Sequence, residues 1–237
     1  MKDILKTVAA KVLKLPCFCL IILLFADGVH AQQTENYPAG LWISYSLRKP
    51  VSKKISWNND IQLRFRNNSA FYDYTLLRSG LQYEVSKKFN FSAGVLYGTD
   101  NINGKKIPVW KNEYRLWQDI KYFIGDLSGL HLMLQGRLEE RWFDTQESTG
   151  NKETLFTTRF RFRTDVRNQF SENWKLMAGN ELMYQLVKGR TNFNQYRIWF
   201  GGGYNFNIKN ELQLQLMQIV LNTPDQTVLR INYLHQL

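Results

Sequence analysis

The sequence has little cysteine and proline, and it lacks long apolar runs. Both cysteines, Cys17 and Cys19, lie within the first 31 residues, and only five prolines occur among 237 residues. Residues 32–237 therefore contain no disulfide framework, no thiol nucleophile and no cysteine metal site. A mean hydropathy of −0.38 is too polar for a helical membrane protein, whose spans need about 20 apolar residues each.

Histidine is also scarce. Beyond residue 31 only His131 and His235 occur, and both lie near strand ends that we expect to face the periplasm. Outer-membrane hydrolases and acyltransferases need a general base, which is most often histidine. We therefore predict no catalytic residue, with a lipid-directed hydrolase or acyltransferase as a less favoured alternative. No His, Asp or Glu spacing is of metal-ligand type, so we predict no metal site and no cofactor.

The first 31 residues have the pattern of a cleavable signal peptide. Four lysines precede an apolar stretch at residues 15–25, and a small-x-small sequence ending at Ala31 predicts cleavage before Gln32. Asp27 interrupts the apolar stretch before it reaches the ~20 residues that a membrane anchor needs. We therefore expect an exported chain, residues 32–237, that forms one domain.

The exported chain is basic. Its net charge falls from +11 to +9 when the four lysines and two aspartates of residues 1–31 are removed. An exported protein rarely meets nucleic acid, so we do not expect a nucleic-acid partner. Anionic lipid head groups, including those of lipopolysaccharide, and a small anionic solute are the partners that this charge favours.

Strand-favouring aromatic residues are abundant, with 7 Trp, 12 Tyr and 15 Phe. From residue 39 onward, apolar and polar residues alternate in segments of about ten, separated by turn residues, which is typical of membrane β-barrels. In residues 154–167, phenylalanines occupy one parity and arginines the other. A soluble β-sandwich also alternates, but here nearly every strand does so, behind an export signal.

The alternation predicts eleven strands, near residues 40–48, 55–66, 74–86, 89–98, 110–124, 130–143, 154–167, 174–187, 195–207, 211–221 and 227–237. Single-chain bacterial barrels normally close with an even strand number. We therefore expect one all-β, antiparallel up-and-down transmembrane barrel of ten to twelve strands. Twelve is preferred, with residues 32–39 as the additional strand.

The predicted connections alternate in length, which orients the barrel in the cell outer membrane. Short turns are expected to face the periplasm, and longer loops at 99–109, 144–153 and 188–194 the outside. The alternating last strand resembles the C-terminal signal that outer-membrane assembly machinery recognises, which makes that machinery an expected partner during insertion. Trp42, Trp57, Trp110, Trp142 and Trp174 lie near strand ends and predict an interfacial aromatic girdle.

Several segments together resemble an uncharacterised family of outer-membrane barrels, domain of unknown function 2490. The resemblance is carried by Glu181 and by residues 113–118, 137–143, 159–163, 195–197 and 201–204. They span most of the chain beyond residue 31. The resemblance implies a barrel and an outer-membrane location, and it implies no activity.

Charged residues share one parity on the central strands. An arginine on the lipid face costs ~2 to 4 kcal/mol at the bilayer midplane, so we expect this parity to face the lumen. One interpretation is a lumen plugged by Arg/Glu pairs, and the other is a narrow channel or ligand-binding pore for small anions, because arginine outnumbers glutamate. The predicted lumen residues are Glu113, Arg115, Trp117, Asp119, Arg137, Glu139, Arg141, Arg159, Arg161, Arg163, Glu181, Arg197 and Trp199.

Overall fold

A computed structural model describes residues 39–66, 71–101, 110–127, 129–146, 152–221 and 225–237. The predicted signal peptide, its cleavage site between Ala31 and Gln32, and residues 32–38 lie outside these described residues. In the described ranges, no helix has the length and apolar character needed to cross a bilayer.

The described residues form eleven β-strands, close to the predicted positions but mostly longer. They are β1 (Gly40–Pro50), β2 (Ile55–Arg66), β3 (Phe71–Ser86), β4 (Phe89–Asn101), β5 (Trp110–Leu127), β6 (Leu130–Gln146), β7 (Lys152–Gln169), β8 (Trp174–Val187), β9 (Arg190–Asn207), β10 (Asn210–Val220) and β11 (Gln226–Gln236).

The strands form one closed barrel in which consecutive strands pair and β1 also pairs with β11. Consecutive strands run antiparallel, so the odd-numbered strands β1 and β11 point the same way and pair in parallel, from Gly40 opposite Val228 to Arg48 opposite Gln236. The prediction of a barrel with ten to twelve strands is confirmed, but the preference for twelve is wrong. Direct pairing of β1 with β11 closes the barrel and leaves no position between these two strands for a twelfth.

The two ends of the barrel differ in the length of their connections. At one end, here called the turn end, β11 finishes and the connections are 51–54, 87–88, 128–129, 170–173 and 208–209. At the opposite end, here called the loop end, the connections are 67–70, 102–109, 147–151, 188–189 and 221–225. The three longest connections, 102–109, 147–151 and 221–225, therefore lie at the loop end, but one connection that the sequence predicts to be long is an exception.

The exception is the connection between β8 and β9. The sequence predicts a loop over residues 188–194, but β9 already begins at Arg190. Lys188 and Gly189 have φ angles of 48° and 75°. Left-handed conformations at both central residues are those of a type I′ turn, which joins two strands with two residues. The predicted loop is therefore wrong, because a tight hairpin replaces it.

The barrel has an apolar outer surface and a largely polar interior. Each of the eleven strands exposes at least one large apolar side chain, and Phe200 on β9 is 62% exposed. Residues of the other parity, such as Glu113 and Arg159, are buried. Contacts between non-adjacent strands establish that this parity points inward: the Arg197 guanidinium on β9 lies over the ring of Trp42 on β1.

Two small apolar clusters lie within the polar interior. One contains Tyr74, Leu76, Leu96 and Trp117 on β3 to β5, and the other contains Trp42, Trp199, Met217, Ile219 and Val228 on β1 and β9 to β11. The assignment of Trp42 to the aromatic girdle is therefore wrong. Trp57 and Trp174 are exposed on the outside near the turn end, where a girdle residue belongs.

Candidate functional site in the barrel interior

All thirteen predicted lumen residues lie on the inward face of the barrel. They are Glu113, Arg115, Trp117 and Asp119 on β5, Arg137, Glu139 and Arg141 on β6, Arg159, Arg161 and Arg163 on β7, Glu181 on β8, and Arg197 and Trp199 on β9. The exposed fraction of their ionisable side chains runs from 1% for Glu139 to 27% for Arg163. Their parity was predictable because the inward positions of a strand recur every second residue.

Glu139 is the centre of the interior ion-pair network. Its carboxylate accepts a hydrogen bond from Nε of Arg159 at 2.7 Å and lies 3.0 Å from Nη2 of Arg161. Arg159 is its direct partner in the β6–β7 register, and Arg161 is the diagonal neighbour. Nη1 of Arg115 lies 3.6 Å from the same carboxylate, and Nη1 of Arg137 lies 4.0 Å from it. Four guanidinium groups therefore stabilise one buried charge.

Glu113 forms a second junction nearer the loop end. Its Oε1 lies 2.5 Å from Nε of both Arg115 and Arg141, and Tyr74 donates a hydroxyl hydrogen bond to its Oε2 at 3.1 Å. Arg115 also contacts Glu139, so this arginine links the two glutamates. The network therefore connects β3, β5, β6 and β7 across the interior.

Glu181 and Asp119 extend the network in two directions. Glu181 on β8 lies 3.3 Å from Arg197 and 3.5 Å from Arg161. Asp119 accepts hydrogen bonds from Arg137 at 2.6 Å and from Gln135 at 2.7 Å. Each of the four predicted carboxylates thus has at least one arginine partner, and several arginines share a carboxylate.

Further ion pairs were not predicted, among them that of Arg66 with Asp73, a residue of the cavity lining described below, and three others in the interior. Arg163 pairs with Asp165 at 2.6 Å, Arg78 with Asp60 at 2.7 Å, and Lys175 with Glu211 at 2.5 Å. A signal for the β2 partner was present in the sequence, since positions 56 to 64 read Ser, Asn, Asp, Gln, Arg at every second residue. The inward face of β2 is mainly uncharged, so a pattern of charged residues at every second position does not identify it as a lumen face.

Arg64 was also missed, and its surroundings differ from those of the paired arginines. Its guanidinium carbon lies 3.9 Å from the ring centroid of Trp42 and 4.8 Å from that of Tyr74, and its Nε donates to Gln62 at 2.8 Å. Among the described residues, no carboxylate lies within ion-pair distance of it. Aromatic faces attract guanidinium but do not neutralise it, so Arg64 brings unmatched positive charge into the lumen.

The two interior tryptophans occupy space that glycines leave open. A Cβ atom added to Gly80 would lie 2.3 Å from Cζ2 of Trp117, and one added to Gly179 would lie 2.5 Å from Cζ2 of Trp199. Arg137 lies over the Trp117 ring at 4.9 Å, and Arg163 over the Trp199 ring at 4.7 Å. Both rings therefore pack tightly between backbone and arginines, which favours a space-filling role.

A cavity of about 200 Å³ opens in the network toward the loop end. A β-bulge at Asp73, where the register passes from Tyr72 opposite Phe65 to Tyr74 opposite Arg64, lets Asp73 and Tyr74 both line it. Three carboxylates line the cavity, those of Asp73, Asp100 and Glu113. Seven cationic side chains also line it: Arg64, Lys111, Arg115, Arg141, Arg159, Arg161 and Arg197.

The lining of the cavity is thus mainly cationic, and one of its arginines has an N–H donor that forms no hydrogen bond with the described residues. The buried Nε of Arg161 has no hydrogen-bond partner among the described residues. Guanidinium groups bind carboxylate and phosphate through paired N–H donors. Chemically, the arrangement is suited to holding a small anion.

Comparison with known proteins identifies the family. Residues 39–230 match the family described as "Protein of unknown function (DUF2490)". The chain belongs to this family. The match begins just before β1 and reaches into β11, so the described residues of the DUF2490 region contain all the strands of the barrel. The resemblance recognised in the residue pattern is confirmed, and the family description assigns no activity.

Two individual proteins are similar to this DUF2490 chain. An uncharacterized protein of Methylorubrum extorquens is 26% identical over 155 residues, which are 65% of this chain and 60% of that protein. The chain therefore spans less than two thirds of the length of that relative. Among solved structures, the β domain of the Bordetella autotransporter BrkA is 8% identical, with a TM-score of 0.44 over 78% of this chain and 83% of that domain.

Proposed function

We propose that this DUF2490 protein is an outer-membrane β-barrel that takes small anionic solutes into its arginine-lined lumen, as a narrow channel or a ligand-binding pore. The observation that carries the proposal is the loop-end cavity, with its seven cationic and three acidic side chains. Four of these cations pair with Glu139 or Glu181, which do not line the cavity, but Arg64 has no carboxylate partner among the described residues. Its buried charge needs a counter-charge, because an uncompensated ion in a low-dielectric interior is costly. A small anion entering from the loop end supplies it.

The outer surface supports the membrane location. Large apolar side chains are exposed around the entire barrel, on every strand. Soluble monomers rarely expose contiguous apolar patches beyond a few hundred Å², whereas hydrocarbon solvates such a surface. The strands are 11 to 18 residues long, and a tilted strand needs ~9 to 11 residues to cross a bilayer. The predicted export signal and the turn lengths favour the outer membrane, with the turn end in the periplasm.

The paired arginines set the class of solute. A carboxylate or a phosphate ester matches the fork of a guanidinium group, and the cavity is too small for a large ligand. We infer that the arginines around Glu139, three of which also line the cavity, form a constriction of the lumen. An anion that passes this constriction must exchange partners with Glu139, which favours slow, selective passage over a wide pore.

The second candidate is a structural or partner-binding barrel whose lumen is plugged by its salt bridges. Glu139 favours it, since this carboxylate is 1% exposed and engaged by several arginines. In that case the network stabilises the barrel and no current flows. Interaction with lipopolysaccharide and with the assembly machinery is common to both candidates and remains part of the proposal.

Planar-bilayer recording with the purified chain tests the channel against the plug. We expect small unitary currents with a reversal potential that indicates anion preference, and weaker preference in Arg64→Gln, which removes a cation without breaking an ion pair. Arg190→Gln, at an exposed site of the loop-end hairpin between β8 and β9, is the matched control. Cation preference that Arg64→Gln leaves unchanged would refute the anion pathway.

A silent bilayer is the outcome that separates binding from plugging. Calorimetry with acetate, succinate and inorganic phosphate then decides, because a ligand-binding pore gives saturable heat that Arg64→Gln abolishes. If neither current nor saturable heat is found, the plugged barrel is the correct interpretation.

We infer that the protein is not an enzyme. The two histidines beyond residue 31 lie on β6 and β11, five strands apart in the barrel. His131 is exposed, His235 is half-buried, and neither lines the cationic cavity. His235 hydrogen-bonds Tyr45 across the β1–β11 pair, which gives it a structural partner. Lipid A and phospholipid profiles that change in a His131→Ala or His235→Ala strain would contradict this inference.

A further inference from the structure

Arg167 on β7 is exposed at the turn end, and seven further exposed lysine and arginine side chains form a group there. They lie on the ends and turns of neighbouring strands from β9 to β4, through the β1–β11 pair. We call this set the basic arc: Arg48, Lys49, Lys53, Lys54, Lys87, Lys88 and Lys209.

Backbone hydrogen bonds hold the parts of the basic arc beside one another. The amide of Gln236 donates to the carbonyl of Lys209 at 2.7 Å, and the amide of Leu237 donates to that of Arg48 at 3.0 Å. The amide of Glu84 donates to the carbonyl of Lys54 at 2.8 Å. The arc is therefore one surface on a fixed frame and not a set of independent loops.

Little negative charge lies within the basic arc. Of the ion pairs formed by the described residues, none involves any of its seven members. Glu84 is the exposed carboxylate on its β2–β4 side. The positive charge is thus left for an external counter-charge.

An apolar and aromatic belt begins directly beside the arc on the outer face. Trp57, Tyr83, Val85, Phe89 and Phe91 are all exposed there, between 42% and 53%. The Nζ atom of Lys54 lies 5.9 Å from the ring centroid of Tyr83, so charge and apolar surface meet within one side-chain length. Lysines whose stems follow apolar surface while their amines reach outward are suited to a membrane–water boundary.

We propose that the basic arc binds anionic phospholipid head groups in the membrane leaflet next to the turn end. The inference rests on the proposed membrane location, because the belt must lie in hydrocarbon for the arc to reach phosphate depth. Each lysine near an anionic lipid surface adds attraction that salt screens within a Debye length. The asymmetric arc further implies that the lipids collect on the β10-to-β4 side of the barrel and not uniformly around it.

The test uses the refolded chain in vesicles of phosphatidylcholine alone or with a minority of phosphatidylglycerol. Lipid retained on the protein is measured by native mass spectrometry after gentle release, for wild type and the quadruple variant Lys53→Gln, Lys54→Gln, Lys87→Gln, Lys88→Gln. We expect phosphatidylglycerol to be enriched on wild type and the enrichment to fall about tenfold in the quadruple variant. The double variant Lys188→Gln, Arg190→Gln removes exposed charge from the opposite end and should retain the enrichment.

The outcomes separate the two proposals. Failure of wild type to insert into either vesicle would refute the membrane location itself. Normal insertion with equal phosphatidylglycerol retention by wild type and the quadruple variant would overturn the proposed lipid binding by the basic arc and leave the membrane location intact. Loss of enrichment in the loop-end double variant, to the same extent, would also overturn it, because the effect would then follow total charge and not position.

Discussion

Replacing Glu139 with glutamine tests whether one buried carboxylate organises the lumen. Glutamine has nearly the same shape and keeps one carbonyl oxygen as an acceptor, so the change removes charge and little volume. Arg159 and Arg161 would retain their positions but lose their shared counter-charge. The adjacent Glu140 points to the outer face of the same strand, so Glu140→Gln removes an identical charge without touching the network.

The expected magnitude follows from the burial of the ion pair. Breaking a buried pair by removing one partner costs about 3 to 5 kcal/mol, because the other charge is left uncompensated. In a chain of this length, each kcal/mol changes Tm by roughly 2 to 4 °C. Because Glu139 is 1% exposed, solvent screening is small, and we expect Tm to fall on the order of 10 °C.

Thermal unfolding of the refolded barrel in detergent micelles, followed by circular dichroism, measures this effect. Adding Arg159→Gln to Glu139→Gln should recover part of the lost stability, because both charges of the pair are then removed together. The double variant should be more stable than the sum of the two single effects predicts, by a coupling energy of about 1 kcal/mol or more. A Glu139→Gln variant that unfolds at the same temperature as Glu140→Gln would refute the idea that the buried carboxylate holds the arginines in place.

Three further predictions concern the frame of the barrel. Cysteines introduced by Ile43→Cys and Ile231→Cys, direct partners in the parallel register, should cross-link on oxidation in a chain otherwise free of cysteine beyond residue 31; a gel showing no cross-link would contradict closure by eleven strands. Gly94→Val should prevent recovery of heat-modifiable barrel, because its Cβ would lie 2.8 Å from Trp117 and 2.1 Å from backbone, and Trp117→Ala alone should be tolerated better. N-terminal sequencing of the outer-membrane form should begin at Gln32, and any uncleaved chain there would count against the signal peptide.

The lumen of β5 to β7 could be predicted because charge and parity coincide there. The residues on either side of Glu139 in the same parity, Arg137 and Arg141, are charged. A charged face of a membrane barrel must point into the lumen, because charged side chains facing lipid are destabilising. On β2 the inward face is mostly Ser, Asn and Gln, which are equally compatible with a turn or a solvated surface. The lumen position of Arg64 could therefore not be predicted from the sequence, although this residue lines the cavity.

The predictions for Trp42 and for the number of strands were wrong for different reasons. A tryptophan near a strand end is usually interfacial, but Arg64 and Arg197 attract the Trp42 ring into the interior, and their positions depend on strands distant in sequence. The strand number failed because the even-number rule describes barrels closed by antiparallel pairs alone. Period-two patterns carry no information on whether the closing pair is parallel.

The parallel closure also decides where the two ends of the barrel sequence are found. Because β1 and β11 run in the same direction, Ala39 lies at the loop end and Leu237 at the turn end, separated by the length of an eleven-residue strand. At ~3.3 Å per residue, that strand is about 36 Å long, so no short linker can join the ends into a circular permutant. In a membrane, an epitope placed before Ala39 and one placed after Leu237 would be reached by antibodies from opposite sides, whereas an even-stranded barrel presents both ends on the same side.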